Sequence, residues 1–278
     1  MDKSNLLKRV LSAVVLIPIV LFCILKGDYF YLGFGIVMTI LCTNEFLKMT
    51  SEKKVSANVF LSYLSALLFP YFFLTGNFEL ISIALIFLMV LAQFFELKSP
   101  SSSPILSTST SFLSFGYISL FISTSVYIRE FYSGIFGTEP SQGGLFLLMI
   151  FMGIWACDTF AYFGGSTYGK RKLYEKVSPK KSIEGAITGF VGTAIVVQVF
   201  HYYYLPELSV SLMIILTLVI GVGGQIGDLV ESLYKRDSGI KDSGTIIPGH
   251  GGVLDRLDSF IYVSPLVFIT IKLYEYFV

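Results

Sequence analysis

A chain of 278 residues that is 54% hydrophobic and only 14% charged, with a mean hydropathy of +0.74, has too little polar surface for a water-soluble globule. Its formal net charge of +1 gives no sign of the strongly basic character of a nucleic-acid binder, so no nucleic-acid partner is expected. Cys23, Cys42 and Cys157 lie apart in apolar stretches, with no CxxC and no His at zinc-ligand spacing, which excludes a disulfide framework or a thiolate metal site.

A membrane helix needs roughly 20 mainly apolar residues. Nine segments qualify as candidates: 10–25, 29–47, 59–74, 78–95, 105–127, 143–163, 185–204, 208–226 and 260–277. The first follows Lys3, Lys8 and Arg9 as a signal peptide would. Lys26, Gly27 and Asp28 give no small-x-small cleavage site, so it is expected to remain as an anchor. The fifth carries Ser107, Ser111, Ser114, Ser119, Ser123 and Ser125 among other hydroxyls, and is expected to face protein rather than lipid. With nine spans, 17 of the 20 basic residues fall on the N-terminal side of the membrane, leaving Lys26, Arg129 and Lys272 for the other. Positive charge marks the cytoplasmic loops. The expectation is an all-α integral membrane protein of about nine transmembrane helices, with its N-terminus in the cytoplasm and its site on the cytoplasmic side of the C-terminal helices. Residues 1–142 form an N-terminal region of about five helices, and 143–278 a catalytic region of about four.

The eighth span runs without a breaker into Gly227, Asp228 and the residues up to Arg236. If the helix continues, Asp228, Glu231, Ser232 and Lys235 fall at i, i+3, i+4 and i+7 on one face. Asp255, Asp258 and Ser259 open the last span, so two helices present carboxylates at one membrane boundary. Hard divalent cations such as Mg²⁺ take carboxylate and phosphate oxygens and can manage with one or two protein ligands. The connecting loop holds Lys235, Arg236, Lys241, Asp242, His250, Gly251, Gly252, Asp255 and Arg256. Such a density of both signs is costly near a bilayer and points to function. Cations beside a carboxylate-bound metal suit a polyphosphate, and glycines allow the backbone to approach it. His250 is either a hydrogen-bond anchor or a proton carrier.

A second cluster comprises Asp158 and, after a short loop, Lys180, Lys181 and Glu184. The two lysines are phosphate ligands or simply cytoplasmic-side charges. Gly164 to Lys170 spells G-x-x-x-x-G-K, but Arg171 replaces the Ser or Thr that would hold Mg²⁺, and the preceding element reads as a membrane helix, not a strand. Gly223 and Gly227 form G-x-x-x-G, a helix-packing spacing.

The run from Ser232 to Asp258 closely resembles the pattern of phosphatidate cytidylyltransferases, S-x-x-K-R-x4-K-D-x-[GSA]-x5-H-G-G-x-x-D-R-x-D. Its soft departure is Tyr234, where an aliphatic residue or Phe is expected, and this bears on packing rather than chemistry. The specific resemblance covers 157–259; the N-terminal half shares only hydrophobic character. It implies CTP and phosphatidic acid as substrates, CDP-diacylglycerol and pyrophosphate as products, and Mg²⁺ in one or two positions held by Asp228 and Asp255. It further implies a catalytic set of Asp228, Asp255, Lys241, Arg256 and His250. The substrate-binding set is Ser232, Lys235, Arg236, Asp242, Gly251, Gly252, Asp258, Asp158, Lys180, Lys181 and Glu184. The cytoplasmic (inner) membrane and a homodimer are implied as well. A CTP-dependent lipid-alcohol kinase, or a cytidylyltransferase for another lipid phosphate, would use the same polyphosphate site. A cation-coupled transporter lined by Asp158, Asp228 and Asp255 would need charges at mid-bilayer, whereas here they gather in two loops.

Overall fold

The computed structural model describes residues 3–249 and 251–277, with side chains from Val10 onward. Each of the nine apolar segments lies in a helical stretch to within two residues at its ends. In chain order these are α1 (Lys3–Lys26), α2 (Asp28–Glu52), α3 (Val59–Leu74), α4 (Phe78–Lys98) and α5 (Pro104–Leu113), the last continuing through a π-helical turn (Ser114–Leu120) into α6 (Phe121–Phe136). Then follow α7 (Ser141–Tyr168), α8 (Ile183–Tyr203), α9 (Val210–Asp237) and α10 (Leu254–Phe277). Among the described residues seven helices are long and apolar enough to cross a membrane, counting α5 to α6 as one; the apolar parts of α1 and α3 are shorter.

The helical architecture agrees with the all-α expectation, with one small addition. Between α7 and α8 lies an antiparallel hairpin of β1 (Lys172–Tyr174) and β2 (Ser178–Ser182), with Lys172 opposite Ser182 and Tyr174 opposite Ser178. Five of the hairpin's eleven residues are charged and it has no apolar stripe to pack as a helix, so strand pairing satisfies its backbone groups instead. Ser182 then caps α8 by accepting the Gly185 N–H at 3.1 Å.

The chain forms two compact units, cut differently from the functional division at 142/143. The first holds residues up to Tyr127 together with Lys235–Leu257; the second holds Ile128–Tyr234 together with the chain from Asp258. In the first unit the hydroxyl-rich helix is turned inward, as expected. Ser65 donates to Ser119 at 2.8 Å and Tyr31 to Ser125 at 3.0 Å, and the Asn58 N–H donates to Ser111 at 2.8 Å. These bonds join α2 and α3 to the α5–α6 helix with polar groups that lipid could not satisfy.

In the second unit α7 and α8 pack backbone to backbone. A Cβ on Gly189 would lie 2.8 Å from the Cys157 carbonyl oxygen, and one on Gly192 would lie 2.7 Å from the Phe160 ring. Gln225 of α9 donates to the Ala186 carbonyl of α8 at 3.1 Å. Helix α9 does continue unbroken past Gly227, whose added Cβ would meet Tyr262 at 2.7 Å and the Asp258 carbonyl at 2.9 Å. The G-x-x-x-G spacing thus serves close approach to α10, directly before Asp228.

Candidate active site

Some of the predicted residues form two separate lysine-paired aspartates, one in each compact unit. In the second unit, one turn along α9 from Asp228, Ser232 donates to its Oδ1 at 3.2 Å, as the i, i+4 spacing demands. The Lys181 ammonium, from β2, contacts the other oxygen, Oδ2. The hairpin that composition alone reads as a loop is therefore what delivers Lys181. Both partners remain partly open, with 29% and 27% of their side-chain surface exposed. Lys180 alternates to the other side of the strand and is exposed. Glu184, in the first turn of α8, turns back onto the hairpin: its Oε2 accepts the N–H groups of Lys170 (3.0 Å) and Arg171 (3.2 Å), and its Oε1 accepts the Arg171 Nε (3.0 Å). It fixes the hairpin's entry. Asp158 lies exposed on α7. Gly164 and Gly165 lie inside α7, near its end at Tyr168, and the order helix then strand is the reverse of a phosphate-binding loop.

In the first unit, Lys235 donates to Asp255 Oδ1 at 2.8 Å. The Asp255 carboxylate also accepts the Ser243 N–H (3.0 Å to Oδ2) and the Gly252 N–H (2.9 Å). Only 12% and 6% of the Lys235 and Asp255 side chains are exposed, so this pair is more enclosed than the other. Gly251 adopts φ +87°, a conformation that L side chains rarely take, and this turns the loop so that the next N–H meets Asp255. Arg236 donates to the Ile240 carbonyl at 3.3 Å, closing the end of α9. Lys241, Asp242 and Arg256 are exposed and Asp258 half-buried, the last accepting the Ser259 N–H at 2.6 Å. His250 lies outside the described residues.

The carboxylate oxygens of Asp228 and Asp255 are the donor type that a hard divalent cation takes, and each now carries a lysine whose charge a cation could replace. Among the described residues no three His, Cys, Asp or Glu groups converge on one point, so phosphate or water oxygens would have to complete any coordination.

Sequence reading missed Glu45. It lies near the C-terminal end of α2, is 1% exposed, and reaches the loop before α10. The available signal was a carboxylate inside an apolar span, which is costly unless it is used.

Seven long apolar helices among the described residues define a helical membrane protein that carries two lysine–aspartate pairs, one partly open and one nearly enclosed. The chain belongs to the Cytidylyltransferase family, whose sequence pattern matches residues 7–274. It is 33% identical over 267 residues to the phosphatidate cytidylyltransferase of Staphylococcus haemolyticus (strain JCSC1435), covering 93% of this chain and 96% of that protein. The phosphatidate cytidylyltransferases of Staphylococcus epidermidis (strain RP62A), at 32% over 263 residues, and Staphylococcus aureus (strain COL), at 33% over 269, match with the same coverage.

Proposed function

We propose that this protein transfers the cytidylyl group of CTP to phosphatidic acid, leaving CDP-diacylglycerol in the bilayer and releasing pyrophosphate. The observation that carries the reading is the end-to-end similarity to phosphatidate cytidylyltransferases, whose motif in this chain holds the Lys235–Asp255 pair and begins one helical turn after Asp228. A phosphate monoester has a second pKa near 6, so phosphatidate is already largely dianionic at neutral pH and needs no protein nucleophile. Its oxygen attacks the α-phosphorus of CTP in line, the bond from that phosphorus to the bridging β-oxygen breaks, and pyrophosphate leaves with the electron pair. The protein's task is to orient two anions and to offset their repulsion. Lys181 and Lys235 would turn from their aspartates to phosphate oxygens, and Arg236, Lys241 and Arg256 would hold the triphosphate against the Gly251–Gly252 backbone. Asp228 and Asp255 would hold Mg²⁺ in one or two positions, and the chemistry it supplies when bound is neutralisation of phosphoryl charge.

With labelled CTP, Mg²⁺ and phosphatidic acid in detergent, the purified protein is expected to form labelled CDP-diacylglycerol and equimolar pyrophosphate. Formation of a phosphorylated lipid with release of CDP would instead identify a lipid kinase.

The reading includes nine crossings and cytoplasmic placement of both charged loops, since CTP is a cytosolic substrate and positive charge sets orientation. Glu175 and Thr245 are exposed in the hairpin turn and in the loop before α10. Single cysteines there, with Cys23, Cys42 and Cys157 replaced by Ala, are expected to react with an impermeant maleimide in inverted vesicles and not in intact cells. Labelling from outside would reverse the topology.

A further inference from the structure

We infer that Glu45 is a positioning residue for Asp255, acting from the N-terminal helices on the loop that carries the proposed metal carboxylate. This rests on the role proposed for Asp255. The Glu45 carboxylate is buried, and its oxygens are committed to one short piece of chain about two hundred residues later. Oε1 accepts the Val253 N–H at 3.0 Å, and Oε2 accepts the Leu254 N–H at 2.8 Å and the Ser243 hydroxyl at 3.0 Å. Helix α10 begins at Leu254, so a carboxylate from another helix serves N–H groups that open α10 and lack intrahelical acceptors, and it sits at the positive end of the helix dipole.

The second contact leads to Asp255 itself. Ser243, whose hydroxyl donates to Glu45, accepts the Asp255 N–H on the same oxygen at 3.3 Å and donates its own N–H to the Asp255 carboxylate. Glu45 therefore sets Ser243, and Ser243 sets both the backbone and the side chain of Asp255. The glycines around it are shaped to this carboxylate. A Cβ on Gly244 would lie 2.4 Å from Oε1, and one on Gly252 would lie 2.5 Å from Oε2, so a side chain at either position would expel it. Gly252 in turn supplies the N–H that holds Asp255 Oδ2. A buried charge with such partners is an anchor, since any displacement strands it without solvation.

Glu45→Gln keeps the shape and replaces one accepting oxygen with a donor that faces an N–H or a hydroxyl. In Glu45→Gln, amide exchange of the peptide spanning Ser243 to Asp255, measured on the substrate-free protein in detergent, is expected to speed up roughly tenfold or more. The kcat is expected to fall about 10- to 100-fold, the cost usual for groups that orient a metal ligand, and the Mg²⁺ concentration for half-maximal rate to rise. A mere loss of folded protein would lower kcat and leave that concentration unchanged. Ser243→Ala removes the relay hydroxyl without burying a mismatched group, and it is expected to shift exchange and Mg²⁺ dependence in the same direction by a smaller factor. If Glu45→Gln cannot be recovered folded, Ser243→Ala decides. Unchanged exchange with unchanged Mg²⁺ dependence would overturn the inference. A wild-type protein that makes no CDP-diacylglycerol would overturn the proposed function instead, and the exchange measurement would still report on the anchor.

Discussion

Asp255→Asn is expected to lower turnover by roughly 10³-fold or more, and Asp228→Asn to do the same, in proteins that still insert and purify. Asn matches Asp in size and keeps one accepting oxygen, and the Ser243 and Gly252 N–H groups both reach the same oxygen, Oδ2, so they retain a partner when the amide oxygen takes that place. What disappears is the charge that a hard cation requires. The two variants should differ in stability, however. Asp255 and Lys235 are nearly enclosed, and breaking a buried pair by removing one charge costs about 3–5 kcal/mol, less here to the extent that the amide still bonds the loop. Asp228 and Lys181 are partly exposed, and an exposed pair contributes about 1 kcal/mol or less. Thermal unfolding in detergent should therefore show a clear loss for Asp255→Asn and little for Asp228→Asn, with turnover lost in both. Near wild-type activity in either variant would remove that aspartate from the metal assignment.

This pairing also marks the boundary of what spacing can tell. The stripe Asp228–Ser232–Lys235 is a local feature of one helix, and its i, i+4 hydrogen bond is present as the periodicity requires. The inward face of the fifth span was equally legible, because hydroxyls such as Ser111, Ser119 and Ser125 are tolerated in lipid only where protein meets them. The π-helical turn at Ser114–Leu120 was not, since one extra residue per turn over so short a stretch leaves no separate period to detect. Nor was the hairpin. Its residues read as cytoplasmic-side charge, and only strand pairing shows why Lys181 reaches Asp228 while the adjacent Lys180 points elsewhere.

Glu45 was hidden for a different reason. Its partners Ser243, Val253 and Leu254 belong to the same compact unit but are separated from it by most of the chain. The functional split into an apolar first half and a chemical second half directs attention away from α2. Yet the loop 235–257 packs with the N-terminal helices, so those helices are part of the scaffold for Asp255.

The cations should not be interchangeable, and Arg256 provides the sharpest case. It lies in the first turn of α10, where its N–H bonds the Val253 carbonyl at 3.1 Å, next to an aspartate held by three donors. Its backbone is thus fixed while its side chain is exposed and able to reach a ligand. A guanidinium presents a rigid fork that binds two phosphate oxygens at once, whereas an ammonium acts as a single flexible point charge. Arg256→Lys keeps the charge and should still lower kcat by about 10²-fold, the scale for losing a hydrogen bond formed mainly in the transition state. Lys176 carries the same charge but sits exposed in the hairpin turn, where solvent and salt screen it. Lys176→Ala is expected to change kcat and the KM for CTP by less than about twofold. Measuring both constants in both variants tests the placement of the triphosphate: a damaging Lys176→Ala beside a silent Arg256→Lys would move it from the loop before α10 to the hairpin.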